Sequence, residues 1–439
     1  MKRQIVAAIG FALLTGFASA ATPPVSGLKR SDMDTSVRPQ DDFYQYVNGH
    51  WLATTEIPAD MQSYGSGWLV YDKSIENLRS IIEQAQKQPA NEGQRKVGDL
   101  YASFMDEPKL EALGTGPLKR ELARIDAVKD GSDLARLIAH NGIAGVDAPF
   151  GLVVHQDNKD STKYVVDFAQ AGLGLPDRDY YLSDDAKFKQ FRVDYIAHIE
   201  RMLLLGGDTA AHDAAAKVMA LETELAKIQW TKVENRDPVK AYNKVQVADL
   251  GAIAPGFDWN AFLAEARVAG KVSYVIVSQP SYIKAMAGLL KDTPLPVWKT
   301  YFRWQLLHAS APYLGKAFVD ENFGFFSTIL RGVPEQRPRW KRGVAVVENG
   351  MGEQLGQVYV TKYFPPTAKA RVQELVGNLQ EAYKESIGTL TWMTPATKQQ
   401  ALAKLAAFTP KIGYPDTWRD YSALRIERDD LYGNVGRAT

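Results

Sequence analysis

Apolar side chains recur at helical spacing along most of this 439-residue chain, and this recurrence constrains the fold more than any other feature. Residues three or four positions apart lie on one face of an α-helix, so each such run indicates a helix with one face in a core. Three faces occur early in the chain: Ile75, Leu78, Ile81 and Ile82; Val97, Leu100, Tyr101 and Phe104; and Leu118, Leu122 and Ile125. The sequence therefore predicts a mainly α-helical protein.

One stretch departs from the helical pattern. Residues 151–170 hold two apolar runs around a polar turn, and Tyr164, Val166 and Phe168 alternate in the second run. Alternation with a period of two after a polar turn predicts a small β-hairpin. Further helices are expected at 185–205, 209–230, 273–290, 298–314 and 367–390.

Three local signals predict how the chain turns. The hydroxyl of Thr394 can cap a helix whose first position is Pro395, where a missing N–H costs nothing. The pair Asn48 and Gly49 predicts a turn next to a packed helix end. Arg178 lies between two aspartates, and we interpret this arrangement as an internal ion pair that fixes the shape of its loop.

The first twenty residues are typical of a secretory signal peptide. Lys2 and Arg3 form a positive start, residues 5–17 an apolar core, and residues 18–20 a small-residue cleavage site. We therefore expect export, with a bacterial periplasm as the compartment and Ala21 as the mature N-terminus. An uncleaved anchor is the alternative, although the apolar run is short for a membrane span, and no span is expected after cleavage.

Residues 21–40 are rich in Pro, Ser, Thr and Asp and are predicted to form a flexible arm.

Composition excludes several classes of function. The formal charge of +1 falls to −1 once Lys2 and Arg3 are removed, which gives no electrostatic footprint for nucleic acid or an anionic membrane. The chain has no cysteine, so an exported protein of this length would depend on its core rather than on disulfides.

No complete active site can be assembled from the residues alone. The six histidines are His50, His140, His155, His198, His212 and His308, and no H-E-x-x-H helix occurs among them. The chain also has no G-x-S-x-G elbow, no phosphate loop and no cysteine nucleophile. We therefore assign no catalytic residue and no metal ligand.

An ordered series of motifs resembles the neprilysin-like M13 zinc metallopeptidases, and most of all their cysteine-free, exported bacterial members of the endopeptidase O type. The likeness runs from about residue 41 to residue 437. The motifs are DDFYQYVNGHWL (41–52), IPAD (57–60), GLGLPDRDYYL (172–182), ENRDPVKAYNK (234–244), RPRWKRGV (337–344), GEQLGQVYVTKYF (352–364) and WMTPATKQQALAKL (392–405) continued by KIGYPDTWRDYSAL (411–424).

The resemblance implies the large helical lobe of a two-lobed peptidase that encloses a chamber and cleaves peptides. It assigns residues 41–425 to the N-terminal domain and residues 426–439 to a truncated lead-in to a missing catalytic domain. The complete family enzyme would carry Zn²⁺ on an H-E-x-x-H helix that has no counterpart here, so this chain is expected to hold no cofactor and to be inactive alone. A separately encoded catalytic part would be its partner; the alternative is a non-catalytic helical protein that binds peptides or other partners.

The resemblance also indicates three substrate-binding residues. In the family, arginines after the Ile-Pro motif grip the C-terminal carboxylate of a substrate. Alignment on Ile57 and Pro58 places Ser63 and Tyr71 at those positions, with Trp68 nearby. Neither Ser63 nor Tyr71 can supply a guanidinium group, so longer peptides without an end-grip are expected. The alternative is that this segment only begins the first helix.

Overall fold

A computed structural model describes residues 28–438. The chain divides into two compact units, the first ending at Pro58 and the second beginning at Ala59. The first unit contains helix α1 (Phe43–Thr54), whose N-cap Asp42 accepts a hydrogen bond from the Gln45 amide. The predicted turn at Asn48 and Gly49 is wrong, because both residues lie inside α1. Gly49 serves close packing instead: a Cβ there would lie 2.6 Å from the Cβ of Asp34.

The second unit is also mostly helical, which confirms the predicted class. Its helices are α2 (Ser66–Lys87), α3 (Glu92–Met105), α4 (Glu107–Leu113), α5 (Lys119–Asp126), α6 (Gly131–Ile143), α7 (Asp179–Leu182), α8 (Ala186–Leu205), α9 (Ala211–Ile228), α10 (Leu250–Ile253), α11 (Trp259–Glu265), α12 (Pro280–Asp292), α13 (Leu295–Ser310), α14 (Lys316–Phe323), α15 (Arg339–Tyr363), α16 (Pro366–Thr389), α17 (Pro395–Ala406) and α18 (Leu431–Ala438). A π-helical turn, Gly324–Ile329, follows α14 directly.

A four-stranded sheet contains the predicted hairpin. Strands β1 (Phe150–Asp157) and β2 (Asp160–Gln170) pair antiparallel, β3 is Lys244–Gln246, β4 is Tyr274–Val277, and the strand order is β1-β2-β4-β3. The predicted helix at 273–290 is wrong in its first part, because residues 274–277 form β4, which pairs parallel with β2. A short buried apolar run fits a helix or a strand equally well, and here β-branched residues and a non-local partner select the strand.

Two large apolar clusters form the core of the second unit. The first joins the sheet to the surrounding helices, and Trp298, Phe302 and Trp304 of α13 are fully buried in it. The second is made by α2, α3 and α15 and also includes Tyr421 and Ile426. The apolar face predicted for α2 packs here with Val97, Leu100 and Tyr101 of α3, whereas Phe104 of α3 packs in a smaller cluster with Leu110 and Leu431.

The loop 172–182 is fixed by hydrogen bonds to α9 rather than by the predicted ion pair. Arg178 donates from Nε to the Ala226 carbonyl at 3.2 Å, and the two flanking aspartates pair with Lys232 instead. Spacing along the chain does not predict these partners, because they lie on α9 and in the segment after it, about 50 residues further on. Glu222 of α9 lies beneath the same loop and accepts hydrogen bonds from Tyr181 and Tyr195.

Helices α16 and α17 differ from the rest of the second unit because neither has a buried residue. Thr394 caps α17 by accepting from the Thr397 amide, as predicted. The chain then returns to the core, where Leu431 and Asn434 of α18 are buried. Among residues 28–438, no helix is both long and apolar enough to cross a membrane.

Candidate functional site

A concavity of about 530 Å³ opens in the second unit between two stretches that are distant in sequence. One wall is made by residues 60–63 and by Trp68 in the first turn of α2. The other wall is made by the end of α14, the π-helical turn and the loop that leads into α15. The Glu335 amide donates to the Ala59 carbonyl at 3.1 Å, which ties the two walls together. We call this feature the 60–342 concavity.

The far wall is shaped by a tight turn after the π-helical segment. Gly332 has φ of +72°, a conformation that favours glycine, and its amide donates to the Thr328 carbonyl. The Thr328 hydroxyl in turn donates to the Val333 carbonyl at 2.9 Å. Pro338 is the N-cap of α15 and ends the loop. π-Helical turns occur frequently at functional sites, and the one in this wall lies next to the concavity.

Two of the three predicted substrate-binding residues lie in this concavity. Ser63 is exposed and Trp68 is half-buried, and both line it. Tyr71 lies one helical turn further on, where its ring packs edge-on against Trp68 with the centroids 5.4 Å apart. Tyr71 therefore supports the Trp68 ring rather than lining the concavity. Their role in binding substrate remains a prediction.

The concavity also contains arginines that were not among the predicted site residues. Arg331, Arg337 and Arg342 line its far wall, and the Arg337 guanidinium lies 5.4 Å from the centroid of the Trp68 ring. The density of basic residues in RPRWKRGV (337–344) is a signal in the sequence, but only tertiary contact places Arg337 and Arg342 opposite Ser63.

A pair of buried histidines lies behind the far wall. His308 contacts the Asn322 side chain with Nδ1 and Oδ1 3.2 Å apart, and Asn322 lines the concavity. Burial, with the nearby His198, lowers the pKa of His308 to about 4. Burial also lowers the pKa of His198, although Glu321 lies 2.8 Å from its Nδ1 and favours the charged form. The His308 imidazole is therefore neutral at pH 7, and burial favours the neutral form of His198 as well.

Burial opposes ionisation of Glu321, yet contacts with His198 and Arg201 outweigh it and lower the pKa of that carboxyl to about 2. Glu321 is thus a carboxylate that holds the His198 ring in place at the end of α14. The arrangement is a structural brace for the far wall. Since His198 is buried, it offers no ring nitrogen to a molecule in the concavity.

The described residues do not fit the zinc site of a metallopeptidase. Residues 28–438 bring together no group of three or more His, Asp or Glu side chains that could hold a metal ion. Ser278 and His155 both contact Asp167, at 2.8 Å and 3.2 Å, so the aspartate lies between them. A nucleophilic triad needs the histidine between the other two, and this trio is therefore a structural hydrogen-bond group.

Comparison with known proteins defines the class of this protein. The family model described as peptidase family M13 matches residues 39–415. That match spans most of the chain, so the chain belongs to peptidase family M13. The resemblance to the N-terminal region of neprilysin-like enzymes is thereby confirmed.

Individual relatives agree with this assignment. The chain is similar to the zinc metalloprotease Zmp1 of Mycobacterium tuberculosis in complex with an inhibitor, with 44% identity, a TM-score of 0.88, and coverage of 94% of this chain and 63% of that chain. It is 27% identical over 435 residues to human endothelin-converting enzyme 1, covering 94% of this chain and 56% of the relative. PepO of Lactobacillus rhamnosis HN001 shares the fold, with a TM-score of 0.80 at 21% identity over 92% of this chain and 64% of that one. The chain spans about half the length of the curated relatives it matches.

Proposed function

We propose that this chain is the chamber-covering, substrate-admitting part of an exported M13-type zinc metalloendopeptidase. In this proposal it works with a zinc-binding catalytic part that hydrolyses peptides, since residues 28–438 bring together no zinc site of their own. Membership of family M13 supports the general class. The alternative function, a non-catalytic helical protein that binds peptides or another partner, shares the same fold and differs in whether a catalytic part is bound.

The observation that carries the proposal is an apolar stripe on α16 and the segment after it. Val372, Leu375, Leu379 and Tyr383 recur at helical spacing along one side of α16, and Leu375 is 57% and Tyr383 63% exposed. Trp392, between α16 and α17, is 73% exposed. Helix α16 has 24 residues, none of them buried, and carries a continuous apolar stripe. Such a stripe is typical of a surface that packs against another domain or protein.

The test is association with a catalytic part. The full chain is mixed with the separately expressed portion of Zmp1 that this chain does not cover, and the mixture is followed by gel filtration and by zinc-dependent peptide cleavage. We expect a complex and chelator-sensitive cleavage that neither component shows alone. The double variant Leu375→Glu/Leu379→Glu should weaken the complex at least about tenfold, because it places two charges in an apolar interface.

The matched control is Val193→Glu on α8, where an apolar side chain is similarly exposed but lies outside the stripe. This variant should associate like the unaltered chain. Failure to form any complex at micromolar concentrations would contradict the proposal and favour the non-catalytic alternative.

Export is a separate part of the proposal, and its sequence signal lies outside the described residues. Mass spectrometry of periplasmic protein should find Ala21 at the mature N-terminus. Retention of Met1 or Lys2 would contradict export with cleavage.

A further inference from the structure

We propose that the 60–342 concavity binds a carboxylate group of a peptide through the guanidinium groups of Arg337 and Arg331. The inference rests on the proposed function, because it names a chemical feature of the peptides that this part of the enzyme would admit. It also departs from the sequence-based expectation that no guanidinium is available for such a contact. That expectation considered only the segment after Pro58, whereas the arginines come from the opposite wall.

The charge of the concavity is the first argument. Its charged lining consists of three guanidinium groups and a single carboxylate, Asp60. Lys341 lies near Asp60, with Nζ 4.0 Å from Oδ2, and also lies 3.2 Å from Asp72. Lys341 is shared between Asp60 and Asp72, and Asp60 is the one carboxylate of the lining that faces its three guanidinium groups. The concavity keeps an excess of positive charge that an anionic ligand would balance.

The bonding of each arginine is the second argument. Among the described residues, the Arg337 guanidinium has no carboxylate or carbonyl partner, and its contact is the face of Trp68. Arg331 donates to the Phe326 carbonyl and to the Ser327 hydroxyl, and no carboxylate within residues 28–438 pairs with it. Arg339 shows the opposite case on the same stretch, since it pairs with Glu107 at 2.9 Å and donates to the Phe104 carbonyl. Arg339 supports the fold, whereas Arg337 and Arg331 keep donors free.

Arg342 has a supporting role. Its Nε donates to the Arg337 carbonyl at 3.2 Å, which fixes the backbone that carries Arg337. Burial, together with the nearby Arg339, lowers the pKa of Arg342, although Glu107 and Asp320 act in the opposite direction.

The geometry favours a carboxylate held in a planar fork. A guanidinium stacked on an aromatic ring is held in one plane and presents its N–H groups at the edge, which matches the two oxygens of a carboxylate. Ser63, Gln62 and Gln336 add neutral hydrogen-bonding side chains around the same space. The ligand chemistry could come from a C-terminal carboxylate or from an acidic side chain, and the two sources are separated by experiment.

The experiment measures binding of short peptides to the full chain without any catalytic part. The probes are four peptides of one sequence: Glu or Gln at a central position, each with a C-terminal acid or a C-terminal amide. Binding is followed by titration calorimetry or by tryptophan fluorescence up to millimolar concentration. We expect one carboxylate to tighten binding by about tenfold or more, the scale of a charge-assisted hydrogen bond. The position of that carboxylate identifies its source.

The variants test the role of the arginines. Arg337→Gln should remove most of the preference for the acidic peptide, and Arg331→Gln should reduce it. Arg337→Lys should keep part of it, because the charge remains while the fork is lost. The control Arg236→Gln changes the net charge equally at an exposed arginine outside the concavity and should keep the full preference. Circular dichroism of each variant verifies that it is folded.

Equal binding of acidic and neutral peptides, or loss of the preference in Arg236→Gln as well, would overturn the inference. Absence of binding by every peptide at millimolar concentration would overturn it too. None of these results bears on association with a catalytic part, which is measured separately. The concavity can therefore fail as a carboxylate site while the proposed function stands, and the reverse also holds.

Discussion

At the scale of single residues, Glu222 is the most unusual group in the described chain. It is fully buried, and it accepts hydrogen bonds from Tyr181, Tyr195, Gln305 and the Gly174 amide. Burial raises the pKa of this carboxyl to about 7, against the lowering effect of the tyrosine hydroxyls. A residue on α9 thus holds the loop 172–182, α8 and α13 through one side chain whose charge changes near neutral pH.

The raised pKa of Glu222 predicts how stability depends on pH. Because the folded state binds the proton more tightly than the unfolded state, the contribution is fully present below pH 4.5 and is lost as the pH rises through about 7. Glu222→Gln cannot titrate, so the difference in unfolding free energy between the unaltered chain and the variant should change across this window, by at most about 3 kcal/mol. Urea denaturation at several pH values measures it.

The control for this prediction is Glu224→Gln, two residues along α9, where the glutamate is half-exposed and pairs with Lys227. That variant should keep the pH dependence of the unaltered chain. An unchanged pH dependence in Glu222→Gln would contradict the prediction.

At the scale of elements, a buried lysine makes one of the contacts that hold the chain after α17 against the earlier helices. Lys96 of α3 is 6% exposed, and its Nζ donates to the carbonyls of Tyr421 and Ser422, each at 2.9 Å. Tyr421 and Ile426 complete the apolar cluster of α2, α3 and α15. A helix near the start of the second unit therefore holds the segment that leads into α18.

Lys96→Met should destabilise the protein. Methionine keeps much of the apolar stem but leaves two carbonyls without their donor, at a cost of about 1–3 kcal/mol. Denaturation with urea measures the loss, and proteolysis should become faster in residues 421–438. Lys362→Met, which removes an exposed lysine bonded to Gln84, is the matched control and should change stability by less than about 0.5 kcal/mol. Equal effects of the two substitutions would refute a special role for Lys96.

The exposure of α16 and α17 predicts where a protease cuts first. These helices have no buried residue, whereas Tyr421, Ile426 and Leu431 are buried. Local opening is easiest where few apolar contacts hold the backbone. Limited proteolysis of the isolated chain should therefore cleave between residues 363 and 420 before it cleaves in 421–438, as mass spectrometry of the fragments would show. A bound catalytic part should protect the same stretch. First cuts after residue 421 would show that the packing of α18 is weaker than its burial indicates.

At the scale of the whole molecule, the described residues form a mostly helical structure with a concavity, but they bring together no metal-binding site. The largest group of potential ligands in residues 28–438 falls short of the three that a zinc site needs. The chemistry of family M13 therefore depends, in our proposal, on the catalytic part.

This separation predicts the metal content of the chain. After gel filtration, the isolated chain should carry well under one zinc ion per molecule, and the complex with a catalytic part should carry about one. Elemental analysis of both samples measures it. About one zinc per isolated chain, with cleavage that a chelator abolishes, would reveal a site that the described residues do not show.

The sequence by itself determined the elements whose signals are local. The spacing of Ile75, Leu78 and Ile82 requires one buried helical face, and the alternation around Val166 and Phe168 requires a strand, because side-chain periodicity follows directly from backbone geometry. Motifs ordered along the chain also determined the family. Each of these inferences uses residues that are close in sequence.

The tertiary structure decided everything that depends on distant partners. Residues 274–277 became a strand because β2 offers a parallel edge, and Arg178 turned to a carbonyl of α9 rather than to its neighbouring aspartates. The concavity joins Ser63 and Trp68 to Arg337, which no periodicity could place together. Local patterns determine which face of an element is apolar. Contacts between elements depend on how all the apolar faces pack together, and this packing is a property of the whole chain.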